Sequence, residues 1–338
     1  MTEMMKAVQL HAFGGPETLR YEDAPRPTIG ADEVLVRVHA ASLNLPDLYL
    51  RDGYRALPPE WRPEPHFPLI LGTDVSGVIE AVGENVSAFS TGDEVYSMVR
   101  FPDGVMAGSG AYADYVSVPA SEVALKPYGI DHIQAAGAPM SLLTAWQFLV
   151  DVGHDAPNPF QSFNHKPVLL EGQTVMVNGA GGGVGHIAVQ IVKWKGARVI
   201  AVASSRHEVL MRELGADDFI DYTKVAAENV VKDVDLVIDA VGGKHIERFL
   251  SCIRQGGAVF LVNPLNFTGQ TEAAQKGITV STTQVRSSGL QLSEAGLLLE
   301  KGIINVVIDS TYPLAMASAA HRRASSGSIQ GKIVLTNF

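Results

Sequence analysis

One short segment constrains this chain more than any other. Residues 179–185 read Gly-Ala-Gly-Gly-Gly-Val-Gly, and five of these seven are glycine. An apolar stretch, 174–178, leads into the segment, and an amphipathic stretch, 186–195, follows it. Ala180, Gly182 and Gly185 give the spacing A-x-G-x-x-G, a close variant of the dinucleotide fingerprint. The chemistry explains the composition. The chain must leave a strand in a tight turn, and its amides must approach a pyrophosphate closely. The following helix then turns unpaired N–H groups and a positive dipole end toward that anion. Gly181, Gly183 and Val184 complete the loop and join those three as cofactor-binding candidates. A merely flexible glycine loop would not need a strand before it and a helix after it.

The next strand bears on which dinucleotide is bound. A site that prefers NAD carries Asp or Glu about 20 residues on, bonded to the ribose 2′-hydroxyl. Here the strand at 198–203 runs into Ser204-Ser205-Arg206-His207, with no carboxylate before Glu208. A hydroxyl and a guanidinium suit a 2′-phosphate. The expected cofactor is therefore NADPH, with Ser204 and Arg206 at the phosphate and Tyr222 packed beside it. A solvated surface charge is the other reading of Arg206.

The surroundings support this placement. From residue 173, candidate strands at 174–178, 198–203, 219–222, 235–240, 258–262 and 278–282 alternate with candidate helices at 184–195, 208–214, 225–231 and 244–254. Such alternation predicts an α/β unit with a doubly wound parallel sheet. The first 125 residues differ. Short runs at 6–10, 33–40, 77–82, 93–98 and 112–119 are separated by turn formers and predict a small barrel or sandwich. Residues 51–68 read as a Pro-rich loop with Trp61 and Phe67, 132–150 as helical, and 151–167 as a long surface loop. Residues 290–301 read as a further helix, and 303–338 as mixed strand and helix.

Composition excludes several classes. Lys+Arg number 26 against 36 Asp+Glu, a net charge of −10, which is the wrong sign for nucleic acid or an anionic membrane. Cys252 is the one cysteine, so neither an internal disulfide nor a multi-cysteine zinc site can form. It reads as a core filler on the 244–254 helix. No apolar run approaches the ~20 residues of a membrane span. The expectation is a soluble, cytoplasmic protein.

Further motifs extend along the chain: Gly14-Gly15-Pro16-Glu17, Ala41-Ser42-Leu43-Asn44-Leu45-Pro46-Asp47, Leu71-Gly72-Thr73-Asp74-Val75-Ser76-Gly77-Val78, Gly92-Asp93-Glu94-Val95, Leu214-Gly215-Ala216-Asp217, Asp239-Ala240-Val241-Gly242 and Gly331-Lys332-Ile333-Val334-Leu335. With the glycine loop, they resemble the zinc-independent quinone oxidoreductases (zeta-crystallin-like) of the medium-chain dehydrogenase/reductase superfamily. The resemblance covers nearly the whole chain. It implies a Rossmann domain inserted into a GroES-like β-rich catalytic domain, with boundaries near 1–140, 141–286 and 287–338 and an active site in the cleft. It also implies a homo-oligomer, dimer or tetramer.

In zinc-dependent alcohol dehydrogenases of that superfamily, Cys and His with an adjacent Glu serve the catalytic metal. The matching positions here are Asn44 and Thr73-Asp74, and the segment 99–110 lacks the four cysteines of the structural zinc lobe. Amide and hydroxyl are poor substitutes for thiolate and imidazole, so the resemblance implies no metal. Its residues near the nicotinamide match Asn44 and Tyr49. Asn44 can donate an amide hydrogen to a carbonyl, and Tyr49 a phenolic proton. Asp47 reads either as a third catalytic group or as the cap and orienter three residues after Asn44. Thr144, Asn263 and Arg286 are further cofactor candidates; a helix-interior Thr and a surface Arg are the alternatives for the first and last. Tyr54, Trp61, Phe67 and Trp146 are candidate walls for a flat apolar acceptor. The implied activity is NADPH-dependent reduction of a quinone or an α,β-unsaturated carbonyl compound. The rivals are a zinc-type alcohol dehydrogenase and a non-catalytic, crystallin-like NADPH-binding protein.

Overall fold

The computed structural model describes residues 3–57, 59, 62, 64, 66–100, 109–151 and 168–337. Trp61, the 101–108 part of the zinc-lobe segment, and the expected loop beyond Asp151 lie outside the described residues. The chain divides into two compact units. The first comprises Met1–Leu143, Arg286–Gly302 and Val306–Phe338; the second comprises Thr144–Val285 and Ile303–Asn305.

The first unit is β-rich. Strands β1 (Met4–Leu10), β2 (Leu19–Pro25) and β4 (Leu69–Ile70) form one sheet in the order β2-β1-β4. Strands β3 (Glu33–Ser42), β5 (Asp74–Val82), β6 (Glu94–Met98), β7 (Tyr115–Pro119), β8 (Val123–Leu125), β15 (Ile308–Pro313) and β16 (Lys332–Thr336) form the other. Its order is β15-β16-β3-β5-β6-β8, with β7 also on β3. Val8, Val36, Val38, Val75, Ile79 and Ile333 belong to one shared core. Antiparallel pairing of β16 with β3 brings Val334 opposite Ser42, joining residues far apart in sequence.

The second unit is a six-stranded parallel sheet: β9 (Thr174–Asn178), β10 (Arg198–Ala203), β11 (Asp218–Asp221), β12 (Val234–Asp239), β13 (Ile253–Leu261) and β14 (Thr279–Ser281). Their order is β11-β10-β9-β12-β13-β14, the doubly wound arrangement that reverses beside the first strand of the unit. Val175, Met176 and Val177 are fully buried, as expected where helices cover both faces of a sheet.

Several elements depart from the sequence reading. The stretch 132–150 is two helices, His132–Gly137 and Pro139–Leu149, broken where Pro139 lacks an N–H. The stretch 225–231 narrows to one helical turn, Ala227–Val230. The stretch 244–254 is not an α-helix. A 3₁₀ segment, Ile246–Ser251, follows His245 at φ 65°, and Ile253 already begins β13. Cys252 caps that 3₁₀ segment rather than riding a helix, and it is fully buried.

One buried strut in the first unit has a pH consequence. Arg51 Nη1 lies 3.1 Å from His321 Nδ1, and His321 Nε2 lies 3.3 Å from the Tyr112 hydroxyl. Burial, with the Arg51 charge adding to it, lowers the His321 pKa to about 3. The unfolded chain takes up this proton near the ordinary histidine value, while the folded chain refuses it until about pH 3. Stability from this group is therefore full above about pH 6.5 and falls as pH drops toward 3. Urea unfolding of His321→Asn should show ~2 kcal/mol less loss than wild type between about pH 6.5 and pH 5. Parallel curves for the two proteins would refute the assignment.

Candidate active site and cofactor cradle

In the second unit, the glycine segment links β9 to the helix Gly183–Trp194, which Gly182 caps. Gly179 has φ 77°, a conformation open to glycine and strained for other residues. A Cβ on Gly185 would lie 2.1 Å from the Gly179 carbonyl oxygen, and one on Gly181 would lie 2.6 Å from the His207 ring. Gly182 differs, because a Cβ there would meet only the Gly179 oxygen, at 3.4 Å. The first helical bond runs from His186 N to the Gly182 oxygen. The amides of Gly183, Val184 and Gly185 precede it and have no partner within the helix. Ala180 is fully buried beneath the turn. Donors and space therefore fit a pyrophosphate.

At the end of β10, Ser204 caps a short 3₁₀ turn, Ser205–His207. Arg206 on that turn is exposed and makes no ion pair among the described residues. Tyr222 N donates to the Ala203 oxygen at 3.2 Å, which sets the exposed Tyr222 beside Ser204 at neighbouring strand ends. Asn263 follows β13. A Cβ on Gly242 would come within 2.8 Å of the Asn263 Cβ, so these two share one corner. Thr144 is buried within its helix, and Arg286 is half-buried beyond β14. Trp146 is also buried and stacks on Trp194 with ring centres 6.2 Å apart, so it serves the core of this unit.

In the first unit, the short helix Leu45–Arg51 carries the remaining candidates, with Asn44 as its N-cap and Pro46 in its first turn. Asp47 is 1% exposed. Its Oδ2 accepts from Asn44 N at 2.8 Å, and its Oδ1 accepts from Gly72 N at 2.9 Å. Burial pushes the Asp47 carboxyl up to about 7, against the pull of those two amides. Asn44 Nδ2 donates to Thr73 Oγ1 at 2.9 Å and to Asp74 Oδ2 at 2.8 Å. Asn44 Oδ1 accepts from Lys332 Nζ, which also stands 3.5 Å from Asp74 Oδ2. Ser42 Oγ and Met140 N both donate to Asp74 as well. Asp74 and Lys332 are buried; burial raises the first pKa and lowers the second, while their mutual attraction acts the other way.

This geometry bears on all three catalytic candidates. Both amide hydrogens of Asn44 are committed inside the protein, so Asn44 is not a free donor for a substrate carbonyl. Both oxygens of Asp47 hold backbone amides, the arrangement of a residue that caps and orients its helix. Tyr49 is the exception. It is half-buried, and its hydroxyl makes no hydrogen bond among the described residues. Burial raises its pKa, which keeps the proton on the phenol. Tyr54 sits beside it with ring centres 6.1 Å apart, while Phe67 packs edge-on against Phe13. Lys332 escaped the sequence reading as a site residue. The available signal was a lysine opening an apolar run, Ile333-Val334-Leu335, where an exposed strand end is the usual expectation.

The chain is similar to known proteins along nearly its whole length. A model of the alcohol dehydrogenase GroES-like domain matches residues 30–128, and one of zinc-binding dehydrogenases matches 214–335. The mouse (Mus musculus) mitochondrial NAD(P)H oxidoreductase RTN4IP1 is 33% identical over 98% of this chain and 89% of its own length. Mouse quinone oxidoreductase is 30% identical over 98% of both chains. The solved quinone oxidoreductase of Coxiella burnetii superposes with a TM-score of 0.83 at 29% identity, covering 99% of this chain and 100% of its own. A Rossmann sheet, a GroES-like unit built from both sides of it in sequence, and these full-length relatives lead to one conclusion: the chain is an oxidoreductase of the quinone oxidoreductase branch of the medium-chain dehydrogenase/reductase superfamily.

Proposed function

We propose that this protein reduces a quinone or an α,β-unsaturated carbonyl compound with NADPH and without a catalytic metal. The observation that carries the reading is the state of the positions where the superfamily's zinc ligands would stand. Asn44 and Thr73 offer an amide and a hydroxyl, and the Asn44 oxygen is already held by the Lys332 ammonium. That set suits neither the nitrogen and sulfur ligands of zinc nor its tetrahedral demand, so no step is routed through a metal.

The residues present do fit a dinucleotide. The amides of Gly183, Val184 and Gly185 would hold the pyrophosphate, and Arg206 and Ser204 the 2′-phosphate, with Tyr222 against the ribose. When bound, the reduced nicotinamide supplies a hydride equivalent to the acceptor. Negative charge then grows on the acceptor oxygen, and Tyr49 is the half-buried hydroxyl free to donate a hydrogen bond and a proton to it. Asp47 and Asn44 hold the helix on which Tyr49 rides.

The test is oxidation of NADPH in the presence of a panel of quinones, enones and simple alcohols or aldehydes. Turnover with quinones or enones supports the reading. Turnover confined to simple alcohols and aldehydes overturns it in favour of an alcohol dehydrogenase, and tight NADPH binding without any turnover favours a binding protein. Cofactor choice has its own check. Arg206→Ala should weaken NADPH by roughly 10- to 100-fold and leave NADH within about twofold, by loss of a charge-assisted contact. Equal losses for both would show that Arg206 does not read the 2′-phosphate.

A further inference from the structure

The first unit buries two carboxylates, Asp47 and Asp74, and one ammonium, Lys332, close together. A buried ion pair is a poor source of stability, because taking both charges out of water costs about as much as their attraction returns. Its geometry is informative. An asparagine side chain can be turned either way, and a carboxylate neighbour can accept only from the nitrogen end. Asp74 Oδ2 lies 2.8 Å from the Asn44 nitrogen, and the ammonium of Lys332 sits on the Asn44 oxygen. A donor on one end and an acceptor on the other leave Asn44 a single orientation. That orientation also delivers the second amide hydrogen to Thr73, whose hydroxyl points on toward Asp47 Oδ2 at 3.4 Å. Asp47 in turn takes the backbone amide of Asn44, closing the first turn of the helix that carries Tyr49.

We propose that Lys332 is a positioning residue for the reduction: by fixing the Asn44 amide between itself and Asp74, it clamps the N-terminus of the Leu45–Arg51 helix and so sets the place of the Tyr49 hydroxyl. The inference rests on the proposed reductase reading for its catalytic part and on the hydrogen-bond pattern alone for its structural part. Lys332 does not touch the acceptor. It acts through Asn44 and the helix.

The test needs a variant that folds. Lys332→Met alone strands the Asp74 charge, so the informative protein is Lys332→Met with Asp74→Asn, which removes both charges. With both charges gone, only the Thr73 hydroxyl still favours the present orientation of the Asn44 amide. Expected results in the full-length double variant are a urea midpoint close to wild type, NADPH affinity within about twofold, and kcat for a quinone such as 1,2-naphthoquinone down at least about tenfold. Adding Tyr49→Phe to that variant should then bring kcat no lower than in Tyr49→Phe alone, because both changes remove one function, whereas independent effects would multiply. Hydrogen exchange gives a readout that needs no turnover. Amides of residues 45–51 should exchange at least about tenfold faster in the double variant, with those of 174–194 unchanged. Wild-type kcat in the folded double variant, multiplicative losses with Tyr49→Phe, or unchanged exchange over 45–51 would each overturn the proposal. If wild type reduces no quinone or enone, the reductase reading fails on its own, and the exchange experiment still decides whether Lys332 clamps the helix.

Discussion

Gly185→Ala should raise the NADPH dissociation constant by at least about 100-fold and lower stability by roughly 1–3 kcal/mol, the usual cost of an overpacked site. The new methyl would fall 2.1 Å from the Gly179 oxygen, 2.7 Å from the Gly179 carbonyl carbon and 2.8 Å from the Ala180 Cα. All three are backbone atoms of the turn itself, so no side chain can swing aside. The turn must open by about an ångström, and a shift of that size at a ligand cradle costs on the order of 100-fold. Gly182→Ala is the contrasting case. Its Cβ meets protein only at 3.4 Å, an ordinary contact, so stability should stay within ~0.5 kcal/mol of wild type. Its NADPH affinity should still fall, because that open space is where the amides approach the pyrophosphate. Calorimetric titration with NADPH, paired with thermal unfolding, separates the two effects. A stable, tight-binding Gly185→Ala protein would mean that the turn is not the phosphate cradle.

Tyr49→Phe should lower kcat for quinone or enone reduction by about 100-fold or more, the usual worth of a positioned proton donor. NADPH affinity should hold, because the ring stays and only the hydroxyl goes. The sign of the pH effect follows from the environment. Burial raises the Tyr49 pKa above its ordinary value of 10, so the phenol keeps its proton throughout the neutral range. Wild-type kcat should therefore fall only at strongly alkaline pH, and Tyr49→Phe should lose that alkaline limb along with most of the rate. Steady-state kinetics across pH gives both outcomes. A Tyr49→Phe enzyme with wild-type kcat would leave the proton to solvent.

The parallel-sheet unit was far more legible in the sequence than the candidate acid–base site. Strands β9 and β10 match their sequence-derived limits because each is a continuous apolar run bounded by turn formers, and a parallel sheet demands that pattern. The start of β13 was hidden. Gly256 and Gly257 interrupt its pattern, yet the strand needs them, since a Cβ on Gly257 would lie 2.8 Å from the Asp235 oxygen. Strand β2 was hidden for another reason. Only Leu19 and Ala24 of its seven residues are buried, so period-two patterning is nearly absent. The site in the first unit depends on pairings that no local pattern encodes. Lys332 meets Asn44 and Asp74 across 288 and 258 residues of chain, and only the registers of β16 on β3 and of β3 on β5 bring them together. For the same reason the Asn44 amide looked free in the sequence, and the structure commits it.

The β16–β3 pairing also sets an order of biosynthesis. The parallel-sheet unit is continuous from Thr144 to Val285 apart from three later residues, so a nascent chain holds nearly all of it early. The other unit has no such independence. Asn44 and Asp74 leave the ribosome long before Lys332, and until residue 332 is made their oxygens have water in place of the ammonium. A chain halted between 286 and 331 would therefore carry all six strands of the parallel sheet and an N-terminal β-rich unit that cannot close its charged interior. Closure of the Asn44–Asp74–Lys332 cluster is thus a late event in synthesis.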